Sequence, residues 1–284
     1  MITLYVAQAG GIAPVPYQCQ DPLPQGTVWI DMDEPTLEEE HQLEAKFGID
    51  IPTREEMRQL EYSHRFYETN GTVFMTLRVV WHADSEDPVN TDLTCVVRPE
   101  CLITVRYSDP LPVQTYASRV RQSLVPELRG DAAFVELLDT FVERAADLLE
   151  RIGEGLDDLS HAVFRAGHNH PELQALTRRR WRRRRKADHG DMNAVIRRIG
   201  QHSDLTSKLR ESLHSFARSM PFLEQAARGW LHPQLHLRIK AIQHDVSALV
   251  EQANFIATKI DFLLNATLGL INIEQNTIIK IFSV

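Results

Sequence analysis

Three runs of apolar residues that step by four and three leave this chain few ways to fold. The first is Leu138, Val142, Ala145, Leu149, Ile152, Leu156, Leu159 and Val163. The second is Val195, Ile199, His202, Thr206, Leu209, Leu213, Phe216, Met220 and Leu223, with two polar intruders. The third is Leu235, Ile239, Ile242, Val246, Leu249, Ala253, Ile256, Ile260 and Leu263. Steps averaging about 3.5 residues specify long helices packed side by side as a coiled coil. Pro171, Gly190 and Pro233 fall between the seams, where helix breakers are expected. The last helix has room to run from Pro233 to Val284, about 80 Å at 1.5 Å per residue. A single compact domain seldom needs such a rod; an oligomeric stalk does. The seam from Leu235 to Leu263 is expected to bury itself between helices, because leaving it in water forgoes roughly 1.5–3 kcal/mol per large side chain.

Before about Ser108 the pattern is short and mixed. Ile2 to Val6, Thr27 to Met32, Thr72 to Trp81 and Leu93 to Val105 are rich in Val, Ile, Thr and aromatics and read as strands. Thr36 followed by Glu38, Glu39 and Glu40, and Thr53 followed by Glu55 and Glu56, read as helix starts. In each, a hydroxyl caps the first turn and carboxylates meet the positive end of the helix dipole. The fold class expected is therefore α+β: an N-terminal α/β domain over residues 1–130, long antiparallel helices packed beside it over 131–231, and a stalk helix over 232–284.

Near its end the last helix carries a second stripe. Asn265, Gly269, Asn272, Asn276, Ile279 and Ser283 keep the four-three spacing but stand about 200° round from the apolar seam. A polar stripe is often a solvated face. Asn, however, is a poor helix former, and a solvated face ordinarily carries Glu and Lys. If the apolar seam meets neighbouring helices, the polar stripe can face the axis of a bundle, where rings of carboxamides meet the water shell of a cation. Mg²⁺ suits such rings because it gives up its water reluctantly.

Other features point less far. A net charge of −8 suits cations or basic partners rather than nucleic acid. Cys19, Cys95 and Cys101 are too widely spaced for a zinc knuckle or a redox pair, which fits a reduced, cytoplasmic setting. Arg178 to Lys186 holds eight positive charges in nine residues and suits either a solvated connector or an arm for nucleic acid or anionic lipid. His232, His236 and His244 can share one helical face, and zinc favours imidazole. There is no nucleophile elbow, phosphate loop or HExxH, so an enzyme is not expected. No basic-then-apolar leader opens the chain, and no segment reads as a membrane span of roughly 20 apolar residues. Ile278 to Val284 turns apolar without a stop signal, so the sequence reads as ending inside a helix.

The segment Phe262-Leu-Leu-Asn-Ala-Thr-Leu-Gly-Leu-Ile-Asn-Ile-Glu-Gln-Asn-Thr-Ile-Ile-Lys280-Ile-Phe-Ser resembles the end of the stalk helix of CorA-type divalent metal ion transporters, a family that includes the ZntB zinc transporters. Trp29-Ile-Asp-Met-Asp-Glu-Pro-Thr36, Cys101-Leu-Ile-Thr-Val-Arg106 and the run from Asp147 through Leu156-Asp-Asp-Leu-Ser to Phe164 agree with it. The resemblance implies an α/β/α domain with a mixed sheet and a stalk helix that assembles five-fold into a funnel. It also implies two membrane helices with a Gly-Met-Asn signature, which are not in this sequence. The protein is then the N-terminal cytoplasmic part of an inner-membrane, homopentameric channel for Mg²⁺ or Co²⁺, without an organic cofactor and with the membrane reached through those further helices. Asn265, Asn272, Asn276, Ile279 and Ser283 become pore-lining, Ile279 near the hydrophobic gate. Glu56 and Asp245 become the metal ligands at a sensing site between subunits. Within the family the rival is a zinc transporter; outside it, a coiled-coil scaffold with a basic arm for nucleic acid or membrane.

Overall fold

The computed structural model describes residues 1–8, 11–18, 21–61, 64–122, 129–168 and 178–282, and their side chains except those of 165–168, 178–191, 274, 277, 278 and 280–282. Seven strands, β1 Ile2–Gln8, β2 Gly11–Tyr17, β3 Thr27–Asp33, β4 Phe66–Thr69, β5 Thr72–Trp81, β6 Val89–Val97 and β7 Leu102–Arg106, form one sheet. Six helices follow or interrupt them: α1 Leu37–Phe47, α2 Arg54–Gln59, α3 Leu111–Gln122, α4 Gly130–His168, α5 Arg178–Ala226 and α6 Leu235–Phe282. Cys19, His170, Pro171 and Ser283 lie outside the described residues.

The strand order is β2-β1-β3-β7-β6-β5-β4. Only β3 and β7 run parallel, Trp29 opposite Leu102 and Asp33 opposite Arg106, so the sheet is mixed. The single run expected from Leu93 to Val105 is two strands. Pro99 has no N–H to give to a ladder, and the chain turns there, Arg98 N–H meeting the Cys101 carbonyl at 3.1 Å. The edge strand β2 escapes the sequence pattern because Pro14 and Pro16 interrupt it. An edge tolerates proline, since the missing N–H faces no partner.

Both helix starts form as capping boxes. Thr36 Oγ1 accepts from the Glu39 amide while Glu39 Oε2 accepts from the Thr36 amide, and Thr53 and Glu56 repeat the exchange. Gly48 closes α1 with a φ of 63°, a conformation that costs glycine nothing. Helices α1 and α2 bury Leu43 and Met57 against Leu4, Ile30, Met32 and Ile103 on one face of the sheet. On the other face Trp29 lies between Tyr5, stacked at 4.1 Å, and Tyr116 of α3 at 4.9 Å. The Trp29 indole N–H donates to Thr104, whose hydroxyl donates to Asp31, and Arg106 holds that carboxylate. The sheet is therefore covered on both sides, and β3 is buried along six of its seven residues.

The chain divides into two compact units, Met1–Ala146 with Lys208–Val250, and Asp147–Ser207 with Glu251–Val284. The first holds the sheet, α1 to α3, the start of α4, the end of α5 and the start of α6. There Phe141 meets Phe216 at 5.9 Å, Phe66 meets Phe222 at 5.8 Å, and the Arg78 amide donates to Ser215. The second unit is helical: the remainders of α4, α5 and α6. One expectation needs correction. Gly190 does not separate helices, since α5 runs through it; one glycine costs a long helix only about 1 kcal/mol. The Leu235–Leu263 seam is buried as expected, every member at 9% exposure or less, and this within one chain. Its burial is a property of the protomer.

Candidate functional site

In the second unit α6 presents three faces. Ala253, Ile256, Ile260, Leu263 and Thr267 are buried. Thr267 satisfies its hydroxyl by donating to the Leu263 carbonyl at 2.7 Å, so it continues the seam at no polar cost. Asn265, Gly269, Asn272 and Asn276 are exposed, and Ile279 is 62% exposed. Sequence periodicity missed the third face. Phe255, Phe262 and Ile273 are 69%, 58% and 54% exposed. They lie seven and eleven residues apart, close to whole turns at about 100° per residue. Phe262 approaches Phe164 of α4, itself exposed, with ring centroids 6.3 Å apart. The signal was in the sequence: three large apolar residues on the side away from a complete seam.

Lys259 donates to Asp157 at 2.7 Å and, through that bond and its charge, lowers the Asp157 pKa. His202, an intruder in the α5 seam, lies over Gly155, where a Cβ would stand 2.8 Å from the imidazole. Burial and the Arg198 charge lower the His202 pKa.

The residues expected to hold a cation are both in the first unit and both exposed: Glu56 on α2 and Asp245 on α6. Glu56 closes the α2 capping box. Its Oε2 accepts from the Thr53 amide at 2.9 Å and the Thr53 hydroxyl at 2.8 Å, and these bonds pull its pKa down. Glu40 of α1 is 2% exposed and bonds the Tyr107 hydroxyl. Burial raises its pKa, and Glu44 and Glu56 add to the rise. Among the described residues no three of His, Cys, Asp and Glu converge on a metal position. The shared histidine face does not form either. His232 precedes α6, and His236 Nδ1 lies 3.1 Å from Glu224 of α5. Cys95 and Cys101 are buried thiols, with burial pushing Cys101 up to about 12. The side chains of the basic run Arg178 to Lys186 lie outside the described residues.

A family model described as the CorA-like Mg²⁺ transporter protein matches residues 24–284. The chain belongs to this family. The magnesium transport protein CorA of Escherichia coli strain K12 is 28% identical over 261 residues, which cover 90% of this chain and 74% of that relative. Among solved structures, the CorA magnesium transporter of Methanocaldococcus jannaschii superposes with a TM-score of 0.73 at 14% identity, over 100% of this chain and 81% of that one. The cytoplasmic domain of ZntB from Vibrio parahaemolyticus gives 0.65 at 9% identity, over 94% and 96%. At these identities the structures establish the fold: a mixed-sheet domain with long helices.

CorA-like membership makes the chain part of an inner-membrane transporter of divalent cations with a soluble cytoplasmic domain. It also bears on α6. The segment Leu235–Ile273 is long and apolar enough, by length and composition, to cross a membrane, contrary to the expectation from the sequence. Asn265, Thr267 and Asn272 interrupt the apolar run without adding charge, so the composition stays permissive. Beside them stands the buried seam and the Lys259–Asp157 pair, the signature of a helix packed on other helices.

Proposed function

We propose that the chain is the cytoplasmic, cation-sensing and pore-lining part of a homopentameric divalent cation transporter of the Mg²⁺/Co²⁺ type. In this reading residues 1–130 are the sensing domain, 131–231 the helices beside it, and 232–284 a stalk helix leading to membrane helices. One observation carries the proposal: α6 exposes Asn265, Gly269, Asn272 and Asn276 along one line although its seam is already filled from within the chain. Five such lines around an axis set rings of amide oxygens against the water shell of a passing ion. Ile279 continues the line as an apolar ring that sheds water when narrow, and Ser283 keeps the same spacing in the sequence as a further pore-lining residue. The exposed Phe255, Phe262 and Ile273 join neighbouring protomers in place of the seam. The Escherichia coli relative, named for magnesium transport, supports Mg²⁺ as the ion.

Sensing belongs to Glu56 and Asp245, brought together from adjacent protomers. Both Thr53 bonds end on Glu56 Oε2, so Oε1 is the oxygen offered to a cation. A bound divalent ion relieves the repulsion between the two carboxylates and stabilises the closed assembly by mass action.

The test is ion flux into liposomes carrying this chain fused to the membrane helices of the Escherichia coli relative. Asn276→Leu keeps side-chain size but removes the carboxamide, and loss of flux with assembly intact is expected. Gln252→Leu, exposed and off the polar line, should conduct like the parent. An Asn276→Leu protein that also conducts like the parent makes the stripe a solvated face and overturns the proposal.

A further inference from the structure

The start of α4 carries a charged joint that neither the pore stripe nor the sensing pair uses. Asp131 is fully buried, at 0% exposure. Its Oδ1 accepts from Arg129 Nε at 3.1 Å and from the Ala132 amide at 3.0 Å. Its Oδ2 accepts from Arg129 Nη2 at 3.3 Å and from the His232 amide at 2.9 Å. Arg129 Nη2 also reaches the Trp230 carbonyl at 3.0 Å. One carboxylate thus ties the first turn of α4 to the connection between α5 and α6. His232 in turn accepts the Leu235 amide at 2.9 Å, where α6 begins.

The other side of the same turn is locked to the sheet. A Cβ on Gly130 would stand 2.1 Å from the Arg98 carbonyl oxygen and 2.4 Å from the Cys101 backbone, so α4 starts in backbone contact with the turn between β6 and β7. The Gly130 amide donates to the Pro99 carbonyl at 3.3 Å. An unbroken line of contacts, all within the first unit, therefore runs from the β6–β7 turn through Gly130 and Asp131 to His232 and α6. Burying a carboxylate is costly, and an apolar residue of similar size would fill the space more cheaply. What only the carboxylate supplies is a set of directed bonds that fixes position.

We propose that Asp131, held by Arg129, is a positioning residue that locks the root of α6 to the sheet domain, so that cation binding at Glu56 of that domain is felt by the root of α6 through this joint, separately from the contact at Asp245. The transmission part rests on the cation-sensing reading above. Coupling of this kind can be carried by packed, hydrogen-bonded elements that both sites bias, and the joint supplies such a connection between the sheet and α6.

Hydrogen–deuterium exchange on the whole 284-residue chain, with and without millimolar Mg²⁺, decides it. The variants are Asp131→Asn and, because that one can fail to fold, Arg129→Gln, which alters a partly exposed side chain. Without cation, amides from Leu231 to Ile239, the root of α6 ahead of Asp245, should exchange roughly ten- to a hundredfold faster than in the parent, the loss expected of a hydrogen bond to a charged group. Strands β6 and β7 should keep their protection. With Mg²⁺, the parent should slow in both α2 and the root of α6, and the variants in α2 alone. Parent-like exchange at the root in both variants overturns the joint, and so does a speed-up shared equally by sheet and helix, which marks a merely structural role. A parent with no Mg²⁺ response overturns the cation-sensing reading instead, while the cation-free comparison still decides the joint.

Discussion

The two halves of α6 are built on opposite plans. From Leu235 to Val250 several polar residues have partners in their own chain. Arg238 reaches Glu136 and Asp139 of α4 at 3.1 Å each, His236 meets Glu224 of α5, and the connection before Leu235 is held by Asp131. From Glu251 onward the seam is equally well buried, but Phe255, Phe262, Leu268, Ile273 and Ile279 are left largely exposed among asparagines. The proximal half is tied by directed bonds inside the protomer, although Leu237 there is 78% exposed. The distal half presents more such apolar area, with Phe255, Phe262 and Ile273 in one stripe, and an apolar stripe on a soluble surface marks a place that something covers. The anchored half fixes where α6 starts, and the exposed half is the one that the proposed assembly would cover.

The largest difference between the two regions should appear at two glycines. At Gly130, on the anchoring side, a Cβ would sit 2.1 Å from a backbone oxygen. Gly130→Ala should cost on the order of 4 kcal/mol or more, since backbone cannot step aside as a flexible side chain does, and leave little folded protein. At Gly269, on the distal half, a Cβ meets nothing within 4 Å. Gly269→Ala should stabilise the protomer by about 1 kcal/mol through helix propensity. Urea denaturation of both variants measures the contrast. A folded, parent-like Gly130→Ala protein breaks the account of the anchored end.

A smaller effect, on association rather than folding, is expected from the aromatic stripe. Phe262→Asp and Phe255→Asp each remove a side chain whose proposed burial between protomers would be worth about 1.5–3 kcal/mol and put a charge in its place. Sedimentation over a concentration series should show the parent as a pentamer and each variant shifted toward monomer. Melting of the monomer should barely change, because Phe255 and Phe262 are exposed within one chain. Variants that remain pentameric would assign the interface to another face of α6.

How much of this was legible beforehand follows from the kind of signal each part carries. The three seams gave α4, α5 and α6 because four-three spacing repeats over many turns, and Thr36 and Thr53 marked α1 and α2 because a cap is a local device. Strands β2 and β4 and helix α3 were not legible. Pro14 and Pro16 masked the first, β4 is only four residues long, and α3 carries no acidic residue in its first turn. The polar stripe was visible as spacing, yet its meaning depended on knowing that the seam is filled within one chain, which no periodicity reports. The joint at Asp131 was invisible for a related reason: its partner His232 is 101 residues away, and a lone Asp at a helix start reads as an ordinary first-turn charge.

The smallest effect concerns Glu56, where capping and cation binding meet on one carboxylate. The Thr53 amide and hydroxyl hold its pKa below the ordinary value of 4.5. A depressed carboxyl contributes stability that is fully present above the unfolded pKa and is lost as pH falls through the folded one. The α2 cap should therefore loosen only below about pH 4.5. Cation binding needs the same ionised form, so the gain in melting temperature from Mg²⁺ should fade over the same acid range. At neutral pH and ten times the dissociation constant, mass action gives about 1.4 kcal/mol, or roughly 3–6 °C for a chain of this size. Glu56→Gln and Asp245→Ala should each reduce that gain. Thr53→Ala separates the two roles: it removes the hydroxyl bond to Oε2 and costs about 1 kcal/mol as a lost cap, while leaving Oε1 to the cation. The Mg²⁺ gain in Thr53→Ala should equal that of the parent. If it falls as far as in Glu56→Gln, the cation depends on the cap rather than on the carboxylate, and Glu56 is a helix-capping residue only.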